Sequence, residues 1–181
     1  MKDLPYDQNK WIYEQTEDKT NRFILGTKGE KTLICCGVNP STASPGNLDR
    51  TVNRVERFAK TNGYDSFIMI NLYPMRATKP KDMHKSVDTT MVKQNEECIA
   101  SILSRGNCDI WAAWGVSIEK RKYLKDCLMK LVDIADTYDC KWYSVGPLTK
   151  DGHPRHPLYT KNGYGMDVFD MSGYVRDRGW K

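Results

Sequence analysis

The fold is decided by residues 32–40, TLICCGVNP, in which an apolar, β-prone run ends in glycine, asparagine and proline. Residues 32–36 predict a core strand that stops at the polar segment behind it. Residues 66–72, SFIMINL, form a second continuous apolar run, which is typical of a strand covered on both faces. Because a helical segment separates the two runs, the sequence predicts two parallel strands joined by a helix, and therefore the α/β class.

Strand and helix continue to alternate beyond this unit. From the spacing of apolar residues, helices are predicted at residues 52–62, 90–104 and 117–136, and further strands at residues 109–114 and 141–145. The links between these elements are short. We therefore expect one α/β domain over residues 1–181, a three-layer αβα sandwich with helices on both faces of a mainly parallel central sheet.

Three segments lie outside this alternation. Residues 23–25 are β-prone and are predicted to form a hairpin with residues 32–36 through a turn at residues 26–30. Residues 73–90 contain prolines and several lysines, and such a long irregular stretch indicates a functional loop. The tail from residue 161 is rich in glycine and aromatic residues, and it either covers an edge of the sheet or joins the site.

Composition narrows the class of protein. Among 181 residues, 28 Lys and Arg stand against 23 Asp and Glu, and the net charge of +5 permits a polyanionic partner without indicating a dedicated nucleic-acid binder. No apolar run is long enough for a membrane span and the start lacks a signal peptide, so we expect a cytoplasmic protein with no membrane partner. The 6 cysteines include no C-x-x-C pair and are interpreted as reduced thiols, so no metal site and no cofactor is predicted.

Ligands of open α/β sheets bind beyond the carboxyl ends of the strands, so the residues after each strand are the candidate site. Asn39 follows the first core strand, and with the backbone amides of Ser41 and Thr42 it is predicted to hold a carbonyl, a phosphate or a water. An ordinary turn explains the same Asn-Pro-Ser segment. Asp49 is a second candidate to orient a water, or it is the N-cap of the helix that follows.

The second strand leads into Asn71, Tyr73 and Arg76. The Asn71 amide can donate to one atom and accept from another, which suits the edge of a nucleobase. Tyr73 is predicted to stack on a base, although core packing explains most aromatic residues. Arg76 suits a phosphate, or it is an ordinary solvated charge in a loop.

The last strand leads into residues 146–159, GPLTKDGHPRHPLY. His153 and His156 each precede a proline, so both are expected in extended backbone outside any regular helix. In a polyproline-like segment the two imidazoles stand roughly 9 Å apart, too far for one metal ion. A rigidly held imidazole suits a developing negative charge, and Arg155 and Leu158 are further substrate-binding candidates.

Two signatures carry a resemblance to known families. The NPSTA segment at residues 39–43 and the PRHPLY segment at residues 154–159 resemble those of a family of bacterial and phage proteins whose function is not settled, and the likeness covers residues 22–160. More distantly, the order of motifs resembles the uracil-DNA glycosylase superfamily. The similar segments are Gly37-Val38-Asn39-Pro40 to a G-x-N-P turn, residues 71–80 to an Asn followed by an Arg-Pro loop, and His156-Pro157-Leu158 to a late His-Pro segment.

The distant resemblance implies a uracil-DNA-glycosylase-like fold and roles for single residues. It implies that Asn39 positions the attacking water, that His156 stabilises charge on the departing base, and that Leu158 wedges into the duplex. The chain departs from the superfamily in having His-Pro-Leu where His-Pro-Ser is usual, and the four cysteines of the cluster-bearing branches have no counterparts. The resemblance therefore supports a fold and a pocket more firmly than a reaction.

Three classes of function are consistent with these residues. The first is hydrolysis of an N-glycosidic bond in a modified base of DNA or in a free nucleotide, with Asn39, His156 and Asp49 as catalytic residues. The second is a non-catalytic module that binds, senses or sequesters a nucleotide in the same pocket. The third is a protein-interaction domain without a small-molecule site, for which the sequence identifies no partner. The predicted partners are accordingly a nucleobase, a nucleotide or DNA.

Overall fold

A computed structural model of the protein describes residues 5–180. The strands in this part of the chain are β1 (Trp11–Gln15), β2 (Arg22–Thr27), β3 (Thr32–Gly37), β4 (Ser66–Asn71), β5 (Asp109–Ala112), β6 (Lys141–Val145) and β7 (Met166–Val168). The α-helices are α1 (Arg50–Thr61), α2 (Thr89–Leu103), α3 (Tyr123–Thr137) and α4 (Met171–Asp177). Short 3-10 helices cover Pro80–Asp82, Gly115–Lys120 and Pro157–Tyr159. The α/β class predicted from the sequence is confirmed.

The strands form a single sheet of 7 strands in the order β1-β2-β4-β3-β5-β6-β7. Its centre, β4-β3-β5-β6, is parallel, as predicted. Its flanking strands β1, β2 and β7 pair antiparallel, so the sheet as a whole is mixed around a parallel centre. Because β3 and β4 are in register from Thr32↔Ser66 to Gly37↔Asn71, both strands end at the same edge of the sheet.

The hairpin predicted between residues 23–25 and 32–36 is wrong. Strand β2 pairs with β1 and β4, and β4 lies between β2 and β3. The hairpin partner of β2 is β1, a short and partly exposed strand that sequence analysis missed although Trp11, Ile12 and Tyr13 are β-prone. Gly26 is not a turn residue: it lies inside β2, where a Cβ atom would stand 2.3 Å from the carbonyl oxygen of Phe67 on β4.

Helices pack on both faces of the sheet because alternate residues of the central strands point to opposite sides. On one face, Leu33 and Cys35 of β3 pack with Val52 and Val55 of α1. On the other face, buried residues of the sheet pack against helices α2, α3 and α4. That second core includes Ile34, Cys36, Ile99, Leu128 and Tyr174. A sheet with helices on both faces therefore leaves only its two strand-end edges open for a site.

Several boundaries differ from those predicted. Strand β5 ends at Ala112 rather than at residue 114, and the helix predicted at residues 117–136 is divided into the 3-10 helix Gly115–Lys120 and α3. Apolar spacing does not separate 3-10 from α geometry over one turn, so this break had no signal in the sequence. The tail covers the sheet edge with β7 and places Phe169 and Tyr174 against Trp114. Within residues 5–180, no helix is both long and apolar enough to cross a bilayer.

Candidate functional site

A cavity of about 270 Å³ lies at the carboxyl ends of the parallel strands, on the face covered by α1. Its floor includes Cys35, Met69 and Ala113 from three neighbouring strands and their ends. Its walls are formed by the start of α1, by the segment after β3 and by the late Pro-rich segment. The polar residues that line it are Arg22, Asn39, Asp49, Thr51, Asn71, Ser117, Thr149, Arg155, His156 and Tyr159. The structure thus brings Asn39, Asn71 and His156 to one cavity.

Asn39 is held rigidly at the edge of this cavity. Its Nδ2 amide donates to the backbone carbonyls of Pro40 at 3.0 Å, Ala77 at 2.9 Å and Met75 at 3.3 Å. These bonds fix the orientation of the amide, and within residues 5–180 no donor occupies its Oδ1. The Asn39 carbonyl oxygen is therefore the acceptor that this side chain offers to a ligand or to a water.

Asn71 ends β4 with a buried side chain, which is 2% exposed. Its Nδ2 has no hydrogen-bond partner among the described residues, although it is fully enclosed. The residue opposite it in the register is Gly37, where a Cβ atom would lie 2.9 Å from Asn71 Oδ1. Glycine at residue 37 therefore leaves room for the Asn71 side chain at the end of β4. A buried amide without a partner costs free energy, which makes Asn71 a candidate for binding a ligand.

His156 presents a defined tautomer. Its Nδ1 accepts a hydrogen bond from the backbone N–H of Leu158 at 3.3 Å, so in the neutral imidazole the proton is on Nε2. Burial lowers the pKa of His156 from its usual 6.5, against the opposing effect of Asp49. The backbone and Cβ of His156 lie against Gly115, which has a φ of +56°, and a Cβ atom there would be 3.3 Å from the His156 Cβ. His156 is thus a neutral side chain with one N–H to donate.

Asp49 serves as the N-cap of α1, since its Oδ1 accepts from the backbone N–H of Val52 at 2.9 Å. It also lines the cavity, where its charge acts on Arg22 and His156. Of the two interpretations of Asp49, the structure shows the N-cap, and the role of orienting a water stays a prediction. Its second oxygen remains for a water or a ligand hydroxyl.

Arg22 is a cavity residue that sequence analysis missed. Its side chain is only 2% exposed, and it carries a guanidinium whose Nε has no partner among the described residues. Its Nη1 donates to the carbonyl of Ala43 at 3.1 Å. Burial lowers its pKa to about 10, helped by the nearby charge of Arg76 and opposed by that of Asp49. The group is therefore still a cation at neutral pH. Its only sequence signal was a positive charge next to an apolar run.

Arg155 and Leu158 lie at the mouth of the cavity, together with Tyr159. Arg155 is tied down by a hydrogen bond from Nε to the carbonyl of Pro147 at 2.6 Å. Leu158 and Tyr159 are 41% and 72% exposed, which is unusual for large apolar side chains next to a pocket. They form an apolar rim beside the charged lining.

Five predicted site residues do not line this cavity in the part of the chain that the structure describes: Ser41, Thr42, Tyr73, Arg76 and His153. Tyr73 is fully buried, with its OH bonded to His84 Nδ1 at 2.9 Å and accepting from the N–H of Asp88 at 3.1 Å. Burial raises the pKa of Tyr73. It belongs to the core on the α3 side, so the structure gives it no base to stack on.

Arg76 and His153 are likewise engaged elsewhere. Arg76 donates to the carbonyl of Ser41 and to the OH of Tyr13, so it braces the loop that contains Ser41 and Thr42. His153 is 2% exposed and its Nδ1 lies 2.8 Å from the OH of Tyr174 in the tail. Its Nε2 lies 3.2 Å from Glu119. These contacts are made with segments far away in sequence, which is why local patterns did not reveal them.

We expect the stability of the protein to fall as the pH drops below about 6.5, in part through His156. The folded state lowers the pKa of this histidine, so between 6.5 and the lowered value the unfolded chain binds a proton that the folded chain does not. The free energy of unfolding therefore decreases as the pH falls through that window. Burial acts in the same direction on His153, where Arg178 adds to the effect.

The measurement is urea unfolding at pH 7.5 and pH 5.5, before most carboxylates titrate. His156→Gln should lose less stability than the parent chain between these two conditions. An equal loss in both proteins would show that His156 is not kept neutral by the fold.

Comparison with known proteins gives a single result. A family model described as a protein of unknown function (DUF1643) matches residues 22–158. No curated protein and no solved structure matches the chain. The matched segment includes Arg22, Asn39, Asn71 and His156, so the cavity lies within the part of the chain that the family describes.

Proposed function

The chain belongs to the DUF1643 family, a family of unknown function, and we propose from its cavity that it binds a nucleobase or nucleotide and hydrolyses the N-glycosidic bond. The main observation behind this proposal is that hydrogen-bonding groups from three residues line one cavity. They are the Asn39 carbonyl oxygen, the Asn71 amide and the His156 Nε2–H. They come from three segments of the chain that lie far apart in sequence. Such convergence of otherwise uncommitted polar groups on a small apolar pocket is typical of a binding or active site.

Hydrolysis of an N-glycosidic bond needs two things from a protein. The bond between C1′ and the base nitrogen breaks through an oxocarbenium-like state, so negative charge accumulates on the base while a water approaches C1′. The Asn39 Oδ1 and the free oxygen of Asp49 accept hydrogen bonds from that water, and Asp49 takes its proton as the C–O bond forms. The His156 Nε2–H donates to the base as it departs with the electron pair of the broken bond.

Recognition of the base falls to Asn71 in this scheme. Its amide offers a donor and an acceptor side by side, which matches the alternating carbonyl and N–H groups of a pyrimidine edge. The enclosed Nδ2, which lacks a protein partner, supports this role. The apolar rim of Leu158 and Tyr159 would contact whatever part of the ligand remains outside.

The architecture is compatible with the resemblance to uracil-DNA glycosylases. That resemblance implies a three-layer αβα fold with the site at the carboxyl ends of a parallel sheet. The parallel core β4-β3-β5-β6, with α1 on one face and α2 and α3 on the other, supports it. The motif residues Asn39, Asn71 and His156 follow β3, β4 and β6, which is the order that the resemblance requires.

The direct test is to incubate the pure protein with two sets of substrates and to look for free base by mass spectrometry. One set is single- and double-stranded DNA containing uracil and other modified bases, and the other is free nucleotides. Release of a base supports catalysis. A ligand that is retained unchanged supports the alternative, a non-catalytic nucleotide-binding, sensing or sequestering module. If no substrate is bound or cut, the proposal is wrong and a protein-interaction domain becomes the better interpretation.

Asn71→Ala is expected to weaken binding of the preferred nucleotide about tenfold, because one or two buried hydrogen bonds to the base are lost and each contributes about 0.5–1.5 kcal/mol. Titration calorimetry measures this change. Asn53→Ala is the matched control, since Asn53 is exposed on α1 and bonds only to the carbonyl of Leu48. Equal affinity of the parent chain and Asn71→Ala would remove Asn71 from the recognition of the base.

A further inference from the structure

The lining of the cavity contains an arginine without a charged partner. The ion pairs within residues 5–180 involve other groups, namely Lys60 with Glu56, His153 with Glu119 and Arg176 with Asp177. Among the described residues, no carboxylate therefore neutralises the buried Arg22 at contact distance, and its Nε has no acceptor. Burying an unpaired charge is among the most costly arrangements in a protein interior, and it persists where a ligand supplies the counter-charge.

The balance of charge in the cavity points the same way. Arg22 and Arg155 contribute two positive charges, Asp49 contributes one negative charge, and His156 is kept neutral by burial. The start of α1 also lines the cavity through Thr51 and Val52, and a helix of 12 residues adds partial positive charge at this end. The lining is thus positive overall, and the unsatisfied donor of Arg22 is part of it.

Arg22 begins β2 beside the end of β4, which Asn71 occupies, so both residues lie at the same end of the sheet. The Nη1 of Arg22 bonds to Ala43, in the segment between β3 and α1, whereas the Asn71 side chain lies against Gly37 at the end of β3. A ligand that satisfies both residues needs a hydrogen-bonding edge and an acceptor-rich anion. Arginine binds phosphate through two parallel N–H donors, which the free Nε can complete.

We propose that the ligand of this cavity is a nucleoside monophosphate whose terminal phosphate binds Arg22. This inference rests on the proposed function for the nucleobase, and it adds the substrate class: a free nucleotide rather than a base within DNA. The cavity of about 270 Å³ is slightly smaller than typical ligand pockets of about 300 to 1,000 Å³, which favours a single nucleotide over a longer nucleic-acid segment. Arg22 is 2% exposed, and a phosphodiester there would need two exits for the continuing strand, whereas a terminal phosphate needs none.

The test compares four ligands by titration calorimetry: the common nucleosides, their 5′-monophosphates, inorganic phosphate, and a short oligonucleotide of the same bases. We expect the preferred monophosphate to bind at least tenfold more tightly than its nucleoside and than the oligonucleotide. Arg22→Met should abolish that advantage, and Arg22→Lys should restore part of it, because lysine keeps the charge but not the planar fork. The control is Arg176→Met, which removes the same charge from an exposed arginine on α4.

Folding of the variants is measured in the same experiment. Arg22→Met should keep or raise the free energy of unfolding without ligand, because it removes an unpaired buried charge, whereas a purely structural arginine would lose stability. Monophosphate should raise the melting temperature of Arg22→Met only as much as the nucleoside does, and it should raise that of the parent chain and of Arg176→Met further.

The outcomes separate the two proposals. If nucleoside and monophosphate bind equally, the phosphate inference is overturned while nucleobase binding stands. If inorganic phosphate binds through Arg22 but no nucleoside or nucleotide does, the anion site is real and the proposed function is wrong. If the oligonucleotide binds more tightly than the monophosphate, the terminal-phosphate assignment is wrong and DNA is the better substrate.

Discussion

Gly26→Ala is expected to lower the free energy of unfolding by about 3 kcal/mol, at the upper end of what overpacking costs. A Cβ atom at residue 26 would lie 2.3 Å from the carbonyl oxygen of Phe67, 2.7 Å from the Cα of Ile68 and 2.8 Å from its Cγ1. Two of these atoms are backbone of β4, which is fixed between β2 and β3, so they cannot rotate away as a side chain does. The strands must therefore separate, which disrupts both β2–β4 pairing and the packing next to Arg22.

The measurement is thermal and urea unfolding of Gly26→Ala beside Gly165→Ala. For a chain of this size each kcal/mol corresponds to roughly 2–4 °C in melting temperature, so a loss of roughly 6–12 °C is expected. Gly165 is the control because a Cβ atom there meets nothing within 4 Å, and its substitution should stay within about 0.5 kcal/mol of the parent. A mild effect of Gly26→Ala would instead agree with the hairpin turn predicted from sequence, and the observed strand order would be wrong.

The strand pairing of β2 shows which part of the fold can be predicted from local sequence patterns and which cannot. The apolar runs at β3 and β4 and the helical spacing of α1 are local, so the parallel core followed from them. The pairing of β2 is not local. A glycine and charged residues between two β-prone runs favour a hairpin on chemistry alone, but the open edge of β4 competes for β2 and takes it. Turn signals cannot reveal a competitor that comes 40 residues later.

The same distinction explains the site. Asn39 and Asn71 were predictable as cavity residues because they lie at the ends of β3 and β4, which reach the same edge of the sheet. His153 was not, because its burial depends on Tyr174, a residue of the tail. Arg22 was not, because a charged residue at a strand end is normally solvated, and its burial follows from the unforeseen position of β2. Sequence analysis thus missed Arg22 because it assigned β2, the strand that carries Arg22, to the wrong partner.

His156→Ala is expected to slow release of the base about 10²- to 10³-fold, the usual cost of removing one donor that stabilises developing negative charge. Affinity for the intact nucleotide should change less than about tenfold, because the base becomes an anion only as the bond breaks. The readout is therefore a fall in kcat larger than any rise in KM, measured on whichever nucleotide yields free base. A purely structural effect through the lost contact with Leu158 would raise KM or lower stability instead.

His84→Ala is the matched control for this variant. His84 is an exposed histidine whose Nδ1 contacts Tyr73, and it does not line the cavity in the part of the chain that the structure describes. Its removal should leave base release within about twofold of the parent. His156→Gln provides the second comparison, since a glutamine amide can still donate one hydrogen bond and should recover part of the rate. If His156→Ala and His84→Ala release base equally fast, the departing base is not stabilised by His156, and this part of the proposed mechanism is wrong.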